Sequence, residues 1–473
     1  RGREDFVYRI TIGELPFITG VFPLGGPVGA ETPVKLTGWN LPSGSVIVDA
    51  TKSGPKTIPI TLDKGERSSN AMPFVLDTLP ESPESEPNNK TAPQRIKLPM
   101  IINGHINRPG DWDVFSFTGS KGDEIVAEVL ARRLESPLDS LLKLTDAAGK
   151  LLAVNDDYED KGAGLVTHHA DSRIGMKLPA DGEYQVHLGD TQHKGGTAYG
   201  YRLRVSLRRP DFDLRVVPSG INAKSGMTVP ITVYALRKDD YAGPIALSLK
   251  GVPQSFVIGG GDIPTGQDKI RLTLTVSRIP RSEPLNMRLV GTATVGGKEI
   301  SRQAKPAEDM MQAFLYRHLV PAQDWVVTIT GERRNKITFT VLDEEPVKLI
   351  PGRTAHTRIA APQGLLDRKF QLKLNQPPKG VTIKKVLPDQ RGLLVEFSVD
   401  KELARPGEKG NLIAIGSVEV TSTYWSSSSR KRKRGEKPRI IRRRISLGAL
   451  PAIPFELIAA PGAEAAPAAA ARK

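Results

Sequence analysis

Short runs of alternating apolar and polar residues, separated by proline and glycine turns, recur throughout this chain of 473 residues. In "EYQVHL", Tyr184, Val186 and Leu188 fall on one face of a strand and His187 falls on the other. The 38 prolines and 45 glycines interrupt such runs before any of them becomes long. Because the chain is also too long for one core, we predict an all-β protein of tandem β-sandwich domains, immunoglobulin-like and jelly-roll-like.

Internal similarities and shifts in composition divide the chain further. Tyr8 to Ile12 resembles Tyr201 to Val205, so the chain is expected to open on the end of an earlier module. The predicted segments are 1–16, the last strand of a truncated preceding module; 17–79, an immunoglobulin-like domain; 80–209, a β-sandwich with an N-terminal arm; 210–305, an immunoglobulin-like β-sandwich; 306–339, a linker with a short helix; 340–421, another immunoglobulin-like β-sandwich; and 422–473, a basic and Ala/Pro-rich C-terminal segment.

The helix is predicted from "AEDMMQAFLYRHL". In this stretch Met311, Phe314, Leu315 and Leu319 recur at helical spacing. A stripe of this kind is more often an element that packs between domains than a ligand site. We therefore predict a short packing helix in the linker.

Several functional classes are excluded or disfavoured. The chain has no cysteine, which excludes disulfides, thiolate metal sites and a cysteine nucleophile. The HExxH, G-x-S-x-G and Gly-rich phosphate-loop motifs are missing, and adjacent residues such as those of "THHADS" rarely form a triad. We therefore expect no enzyme. No run reaches the ~18 apolar residues of a transmembrane segment, and the start at Arg1 leads us to expect an export signal upstream.

The stretch "ESEPNNKTA", which begins at Glu84, gathers acidic and amide side chains in a chain of formal net charge +15. Because an extended segment sends alternate side chains to one side, Glu84, Glu86 and Asn88 are expected to project together. Pro87 restricts the backbone to conformations that suit an extended arm. Asn89 faces the other way unless the chain turns there, and Asn is well suited to such a turn.

A second acidic pair occurs in "GDWDVFSF". Asp111 and Asp113 lie two residues apart, where a loop enters a strand whose Phe115 and Phe117 are predicted core residues. Carboxylates and amides form an oxygen-only donor set. Calcium uses about six to eight such ligands at roughly 2.3–2.6 Å, whereas magnesium demands a rigid octahedron. As a metal site, this donor set suits Ca²⁺ better than Mg²⁺. From the residues alone, a solvated linker beside a turn that begins at Asp111 stays open as the other interpretation.

From about Glu84 to Ser206 the chain resembles the bacterial pre-peptidase C-terminal (PPC) domain, which is related to the collagen-binding domains of clostridial collagenases. The resemblance rests on "EPNN", "GDWDVFSF", "LDSLLKLTDAAGKLLAVNDD", "LPADGEYQVHLGD" and "YRLRV", in the family's order. It implies a calcium site in which an arm and the aspartates before the first core strand share the metal. The implied ligand positions are Glu84, Glu86, Asn88 and Asn89 in the arm, with Asp111 and Asp113 at the strand.

Residues 17–79 resemble the IPT/TIG immunoglobulin-like domain through "FITGVFPLGGPVGAETPVKLTGWNLPSGSVIV". The arrangement of modules resembles secreted multi-domain proteins of planctomycete-type bacteria, which implies an extracellular, cell-surface or periplasmic location. We expect a non-catalytic binding or adhesion protein that recognises an extracellular protein or a polysaccharide. The alternative is the accessory C-terminal region of a secreted peptidase, covalently linked to a catalytic domain outside this chain.

Another acidic group surrounds "LAVNDDYED" and includes Asp139, Asp156 and Asp157. Two interpretations are open for it. The group holds a second cation, or Asn155 and Asp156 form an Asx turn at a hairpin. We favour the turn.

The most basic segment, Arg430 to Arg444, has the sequence "RKRKRGEKPRIIRRR", with ten Lys or Arg against one Glu. Three interpretations remain open: a contact with a polyanion such as an acidic polysaccharide or a lipid surface, a solvated charged hairpin, or a protease-sensitive linker. No aromatic residue is interleaved after Trp425, so stacking on nucleic-acid bases is not supported.

Overall fold

The computed structural model describes residues 10, 12–160, 168–312, 316–331, 338–362, 365, 369–424 and 439–460. Over these residues the chain consists of β-strands and one 3-10 helix, with no α-helix. The prediction of an all-β protein of tandem sandwiches is confirmed. The chain divides into two compact units, Arg1–Arg209 and Pro210–Lys473, and the described residues of each unit form two hydrophobic cores.

The first sandwich is formed by short strands with alternating burial. In "MPFVLD" the side chains of Met72, Phe74 and Leu76 are buried and those between them are half-buried. The strands are β1 (Phe17–Phe22), β2 (Gly25–Pro27), β3 (Glu31–Trp39), β4 (Ser45–Asp49), β5 (Lys56–Ile60), β6 (Asp63–Lys64), β7 (Arg67–Ser68) and β8 (Met72–Asp77). One sheet has the order β1-β3-β4 and the other has the order β2-β8-β5.

The second sandwich follows directly, and its 3-10 helix spans Arg132–Leu134. Its strands are β9 (Glu81–Pro83), β10 (Gln94–Arg95), β11 (Met100–His105), β12 (Trp112–Gly119), β13 (Glu124–Leu130), β14 (Ser140–Asp146), β15 (Leu151–Asn155), β16 (Tyr158–Glu159), β17 (His168–His169), β18 (Arg173–Lys177), β19 (Gly182–Asp190) and β20 (Gly200–Leu207). The two main sheets have the orders β18-β13-β20-β11-β9 and β10-β12-β19-β14-β15.

The arm between β9 and β10 connects the two sheets of the second sandwich. β9 pairs in parallel with β11 at the edge of one sheet, and β10 pairs in parallel with β12 at the edge of the other. Residues 84–93 therefore cross from one sheet to the other. This crossing brings the acidic stretch of the arm next to the beginning of β12.

The third sandwich contains the longest sheet among the described residues, with the order β25-β27-β23-β21-β31-β32. Its core includes Trp325, Val327 and Ile329. The strands are β21 (Asp211–Val217), β22 (Gly220–Ala223), β23 (Thr228–Lys238), β24 (Ile245–Lys250), β25 (Val257–Gly259), β26 (Asp262–Ile263), β27 (Lys269–Thr275), β28 (Leu285–Asn286), β29 (Arg288–Val295), β30 (Lys298–Gln303), β31 (Lys305–Gln312), β32 (Tyr316–Pro321) and β33 (Val326–Ile329).

The predicted packing helix is wrong. β31 and β32 form an antiparallel hairpin in which Met311 lies opposite Arg317, and β31 also pairs with β21. Hydrogen bonding to the sheet edge outweighs a short apolar run that is compatible with either helix or strand. Phe314 and Leu315 lie outside the described residues. Because Trp325 is part of the third core, this part of the predicted linker belongs to the third sandwich.

The fourth sandwich extends beyond the predicted boundary at residue 421. Leu447, Leu450 and Phe455 are part of its core, so residues 439–457 are strands of the sandwich rather than a separate C-terminal segment. Its strands are β34 (Thr340–Val341), β35 (Val347–Leu349), β36 (Thr354–Ala360), β37 (Gln371–Leu374), β38 (Val381–Asp389), β39 (Gly392–Val399), β40 (Lys409–Leu412), β41 (Ala414–Tyr424), β42 (Arg439–Ala449) and β43 (Ile453–Leu457).

Some predictions fall on residues that the structure does not describe. Of the predicted strand from Tyr8 to Ile12, the structure describes only Ile10 and Ile12, neither of which is in a strand. The basic segment from Arg430 to residue 438 lies outside the described residues. Within the described residues, no helix is both long enough and apolar enough to span a membrane.

Candidate metal centre

The arm approaches the sandwich through Glu84. The backbone N–H of Glu84 donates to the carbonyl of Asn103 at 3.0 Å, continuing the pairing of β9 with β11. Its carboxylate oxygen Oε1 accepts a hydrogen bond from the backbone N–H of His105 at 2.7 Å. A Cβ atom on Gly104 would lie 2.3 Å from Glu84 Oε2. Glycine at this position therefore allows the carboxylate to lie against the strand.

Asp113 lies on β12 and is fully buried. Its Oδ2 is 2.7 Å from the hydroxyl of Tyr201, and the same hydroxyl is 2.9 Å from Glu84 Oε2. A phenol has one proton to donate, so it cannot satisfy both carboxylates at once. The second carboxylate needs a proton or a cation.

The electrostatics of this pair favour the protonated state when no cation is bound. Burial, together with the negative charges of Glu84 and Asp111, raises the pKa of Asp113 to about 9. Burial also raises the pKa of Glu84. Burial and both carboxylates raise the pKa of the Tyr201 phenol, so Tyr201 remains a hydrogen-bond donor. Without that proton or a cation, the negative charge of the centre would be uncompensated.

Three carboxylates converge at the end of the arm. One oxygen from each of Glu86, Asp111 and Asp113 lies within 4.8 Å of the others. Glu86 Oε1 accepts a hydrogen bond from the side-chain amide of Asn107 at 3.0 Å. Arg108 approaches Asp111 at 3.7 Å, but its side chain is 79% exposed. The group is therefore oriented by neutral donors and is only weakly compensated by charge.

Asn88 completes the cluster from the arm. Its side chain is buried, and its amide group lies 3.2 Å from Asp113 Oδ1 and 3.0 Å from Glu86 Oε2. With the nitrogen turned toward them, the amide donates to both carboxylates. With the oxygen turned toward them, four oxygen-bearing side chains face one point, which is the arrangement that a hard cation requires. The carboxylates of this site can thus be held together either by hydrogen bonds from the Asn88 amide or by a metal ion.

Asn89 does not join the cluster. Its Oδ1 accepts hydrogen bonds from the backbone N–H and the hydroxyl of Thr91, at 3.0 and 2.7 Å, and from the backbone N–H of Ala92 at 3.2 Å. This is an Asx turn, which redirects the chain toward β10. The structure therefore assigns its side chain to the turn and brings Glu86, Asn88, Asp111 and Asp113 together, with Glu84 behind them.

Sequence reasoning missed the residues that support the cluster. The sequence places Tyr201 on a strand and gives no reason to connect Gly104 or Asn107 with the arm. Their partners lie far away in the sequence: Tyr201 and Glu84 are 117 positions apart. The run "NGH" offered a small signal, since a glycine inside a strand often marks a close approach by another group.

A buried ion pair at the base of the arm was also missed. Arg202, which is 1% exposed, donates to both carboxylate oxygens of Glu81, at 2.7 and 2.5 Å. The guanidinium lies against β2 of the first sandwich, where a Cβ on Gly25 would be 2.9 Å from Arg202 Cζ. Close by, the rings of Phe22 and His105 are 3.8 Å apart. The arm therefore begins at the contact between the first two sandwiches.

The second acidic group has a local structural role in the described residues. Asp156 Oδ1 accepts the backbone N–H of Asp157 at 3.0 Å, and Asn155 Oδ1 accepts that of Arg173 at 2.7 Å. Asp139 Oδ2 accepts the side-chain amide of Gln192 at 3.2 Å. None of these contacts is the hydrogen bond from an i+2 backbone N–H that defines an Asx turn, so both the turn and the second cation stay predictions.

The comparisons with known proteins cover only parts of the chain. Over 80 residues, 17% of this chain, the sequence is 50% identical to a probable subtilase-type serine protease of Deinococcus radiodurans. The matched part is 10% of that protein's length. A solved structure, the pre-peptidase C-terminal domain of a collagenase from Bacillus anthracis, matches with 16% identity and a TM-score of 0.19, covering 28% of this chain and 100% of that domain. No family model matches.

Proposed function

We propose that residues 80–209 form a PPC-like module that binds one Ca²⁺ through Glu86, Asn88, Asp111 and Asp113. The observation that carries this proposal is the buried Asp113, whose oxygens face other carboxylates, one shared phenol proton and the amide group of Asn88. Carboxylate and amide oxygens are the donors that calcium prefers, and the exposed side of Glu86 leaves room for water ligands. The three carboxylates and the Asn88 amide therefore fit a calcium ion.

The proposed role of the ion is structural. It neutralises the arm's carboxylates and ties the arm to the beginning of β12. Glu84 supports the site and is not one of the proposed ligands, because the Tyr201 hydroxyl and the backbone N–H of His105 donate hydrogen bonds to its carboxylate. Since Glu81 and Arg202 form an ion pair at the base of the same arm, calcium also stiffens the contact between the first two sandwiches.

The chain as a whole is proposed to be a non-catalytic, extracellular binding or adhesion protein. A tandem array of sandwiches presents loops and sheet faces to ligands while the calcium site limits bending between the first two modules. The second candidate is the accessory region of a secreted peptidase. The relative from Deinococcus radiodurans, a probable subtilase-type serine protease, favours this candidate. Sequencing the gene beyond both ends separates the two, because only the second requires a linked protease domain.

The metal proposal is tested by thermal unfolding of the full chain in CaCl₂ and in EGTA. We expect calcium to raise the midpoint of one transition in the wild type and to have no effect on Asp113→Asn. Asp139→Asn, which removes the same charge from the second acidic group, serves as the matched control and should keep the calcium response. An equal response in Asp113→Asn and the wild type would contradict the proposal.

A further inference from the structure

One sheet of the fourth sandwich presents a basic face to solvent. The sheet has the order β37-β41-β42. Val418 and Leu447 point into the fourth core, and Leu372 packs against it. Because side chains alternate along a strand, the residues between them point outward.

The outward side chains include three cations around one carboxylate and a fourth cation farther along the sheet. Lys369 Nζ lies 3.1 Å from Glu419 Oε1, and Arg442 Nε lies 4.0 Å from the same atom. The Lys369 hydrogen bond and the charges of Arg442 and Arg444 lower the pKa of Glu419. Lys373 lies opposite Ile415 and is exposed, between the inward-packing Leu372 and Leu374. We name Lys369, Lys373, Glu419, Arg442 and Arg444 the basic sheet face.

The charges on this face are accessible and spread out. The side chains of Lys369 and Arg442 are 65% and 67% exposed. Arg442 and Arg444 are two residues apart on one strand, a distance of about 7 Å, and β37 lies two strands from β42, about 10 Å away. One small anion cannot contact all four cations at these spacings. An extended chain with repeated negative charges can.

We propose that the basic sheet face binds an acidic polysaccharide that carries carboxylate or sulfate groups. Arginine forks and lysine ammonium groups recognise such anions directly. Thr421, which lies opposite Arg442, and Ser417 add hydroxyl groups that suit the hydroxyls of a sugar chain. Among the described residues of this face there is no aromatic side chain on which a nucleic-acid base could stack.

The same cations could instead protect the edges of the sheet. The experiment must distinguish this protective role from polysaccharide binding. β37 and β42 are the two edges of the sheet, and charged residues on edge strands prevent pairing with other chains. A purely protective role predicts self-association when the charges are removed. A binding role predicts loss of affinity for a polyanion while the protein stays monomeric.

The test uses the full chain and two probes of equal length, an oligogalacturonate dodecamer and a heparin-derived dodecasaccharide. Binding is measured by biolayer interferometry at 50 and 200 mM NaCl. We expect Arg442→Gln/Arg444→Gln to weaken binding to at least one probe about tenfold and to reduce its salt dependence. The matched control is Arg443→Gln/Lys385→Gln, since Arg443 points to the other side of β42 and Lys385 lies on β38. The control should stay within twofold of the wild type.

Several outcomes would overturn the proposal. These are equal losses in the two double variants, unchanged binding in Arg442→Gln/Arg444→Gln, or self-association of that variant without loss of affinity. Tighter binding to a dT12 oligonucleotide, or to vesicles of phosphatidylglycerol, than to both saccharides would assign the face to a different partner. Circular dichroism of each variant establishes that the fourth sandwich is still folded.

Discussion

The hydroxyl of Tyr201 lies 2.7 Å from Oδ2 of Asp113, and both residues are buried. The same hydroxyl also approaches Glu84, so one proton serves two carboxylates. In the absence of a cation, the shortage is met by a proton on Asp113, whose pKa is raised to about 9. In the proposed calcium-bound state the ion takes the place of that proton. Proton and calcium therefore compete for one position.

The first prediction concerns Tyr201→Phe. Removing the hydroxyl takes away the one donor that Asp113 Oδ2 and Glu84 Oε2 share, which should lower the stability of the chain in EGTA by about 1–3 kcal/mol. Calcium should restore much of this loss, so the calcium-induced thermal shift should be larger than in the wild type. Tyr184→Phe is the matched control, because it removes a hydroxyl that donates to Ala180 at 2.6 Å in the same sandwich. A calcium shift that grows equally in both variants would count against the role of Tyr201.

The second prediction concerns pH. A folded-state pKa of about 9 for Asp113, against 3.8 for the ordinary group, means that the folded state retains a proton that the unfolded state loses in this range. The contribution of Asp113 to the free energy of unfolding without calcium should therefore be greatest at low pH. It should fall as the pH rises from about 4 to about 9. Calcium must displace the proton, so its affinity should increase over the same range.

Thermal midpoints at several pH values, in EGTA and in CaCl₂, check this prediction. The difference between the two midpoints should widen with pH up to about 9. In Asp113→Asn the pH dependence in EGTA should become flatter, since the titrating group is gone. A calcium shift that is the same at every pH would show that no proton is displaced.

The third prediction concerns the close packing of the arm at Gly104. In Gly104→Ala the added Cβ would lie 2.3 Å from Glu84 Oε2 and 2.4 Å from the Tyr201 hydroxyl, so the arm must move away. We expect calcium affinity to fall at least tenfold in calorimetry. Gly175→Ala is the control in the same sheet, because the nearest neighbour of the new Cβ there is the tip of the Arg173 side chain at 3.6 Å. Unchanged affinity in Gly104→Ala would mean that the arm does not need to lie against β11.

The fourth prediction concerns the ion pair at the base of the arm. Glu81→Gln leaves the buried guanidinium of Arg202 without its counter-charge, a change that typically costs about 3–5 kcal/mol. Because a chain of several domains does not unfold in two states, the local readout is hydrogen exchange of the amides in β9 and β11. Exchange there should accelerate. The control is Glu124→Gln. The ion pair between Glu124 and Arg208 is more exposed and should contribute only about 0–1 kcal/mol to stability.

Part of the metal site could be inferred from the sequence because it depends on local geometry. The spacing of Glu86 and Asn88 on an arm, and of Asp111 and Asp113 before a core strand, is enough to suggest two groups of oxygen donors. The sequence allows Asn89 either to bind the metal or to form a turn. Only the hydrogen bonds from Thr91 show that its side chain belongs to the turn.

The remaining features depend on contacts between distant strands. Nothing near Tyr201 in the sequence indicates that its hydroxyl lies between two carboxylates, and nothing near Arg202 indicates a partner at Glu81. The helix prediction for residues 307–319 failed for the same reason. An apolar run of that length fits either period, and pairing with β21 and β32 decides between them.

The central claim is that the arm and β12 share a calcium ion, and isothermal titration calorimetry tests it most directly. The full chain is freed of divalent ions with EGTA, exchanged into chelator-free buffer and titrated with CaCl₂, and the same titration is run on Glu86→Gln/Asp113→Asn. We expect one calcium ion to bind per wild-type chain and no measurable binding at this site in the double variant. No heat in the wild type at several temperatures, with no thermal shift on adding calcium, would contradict it.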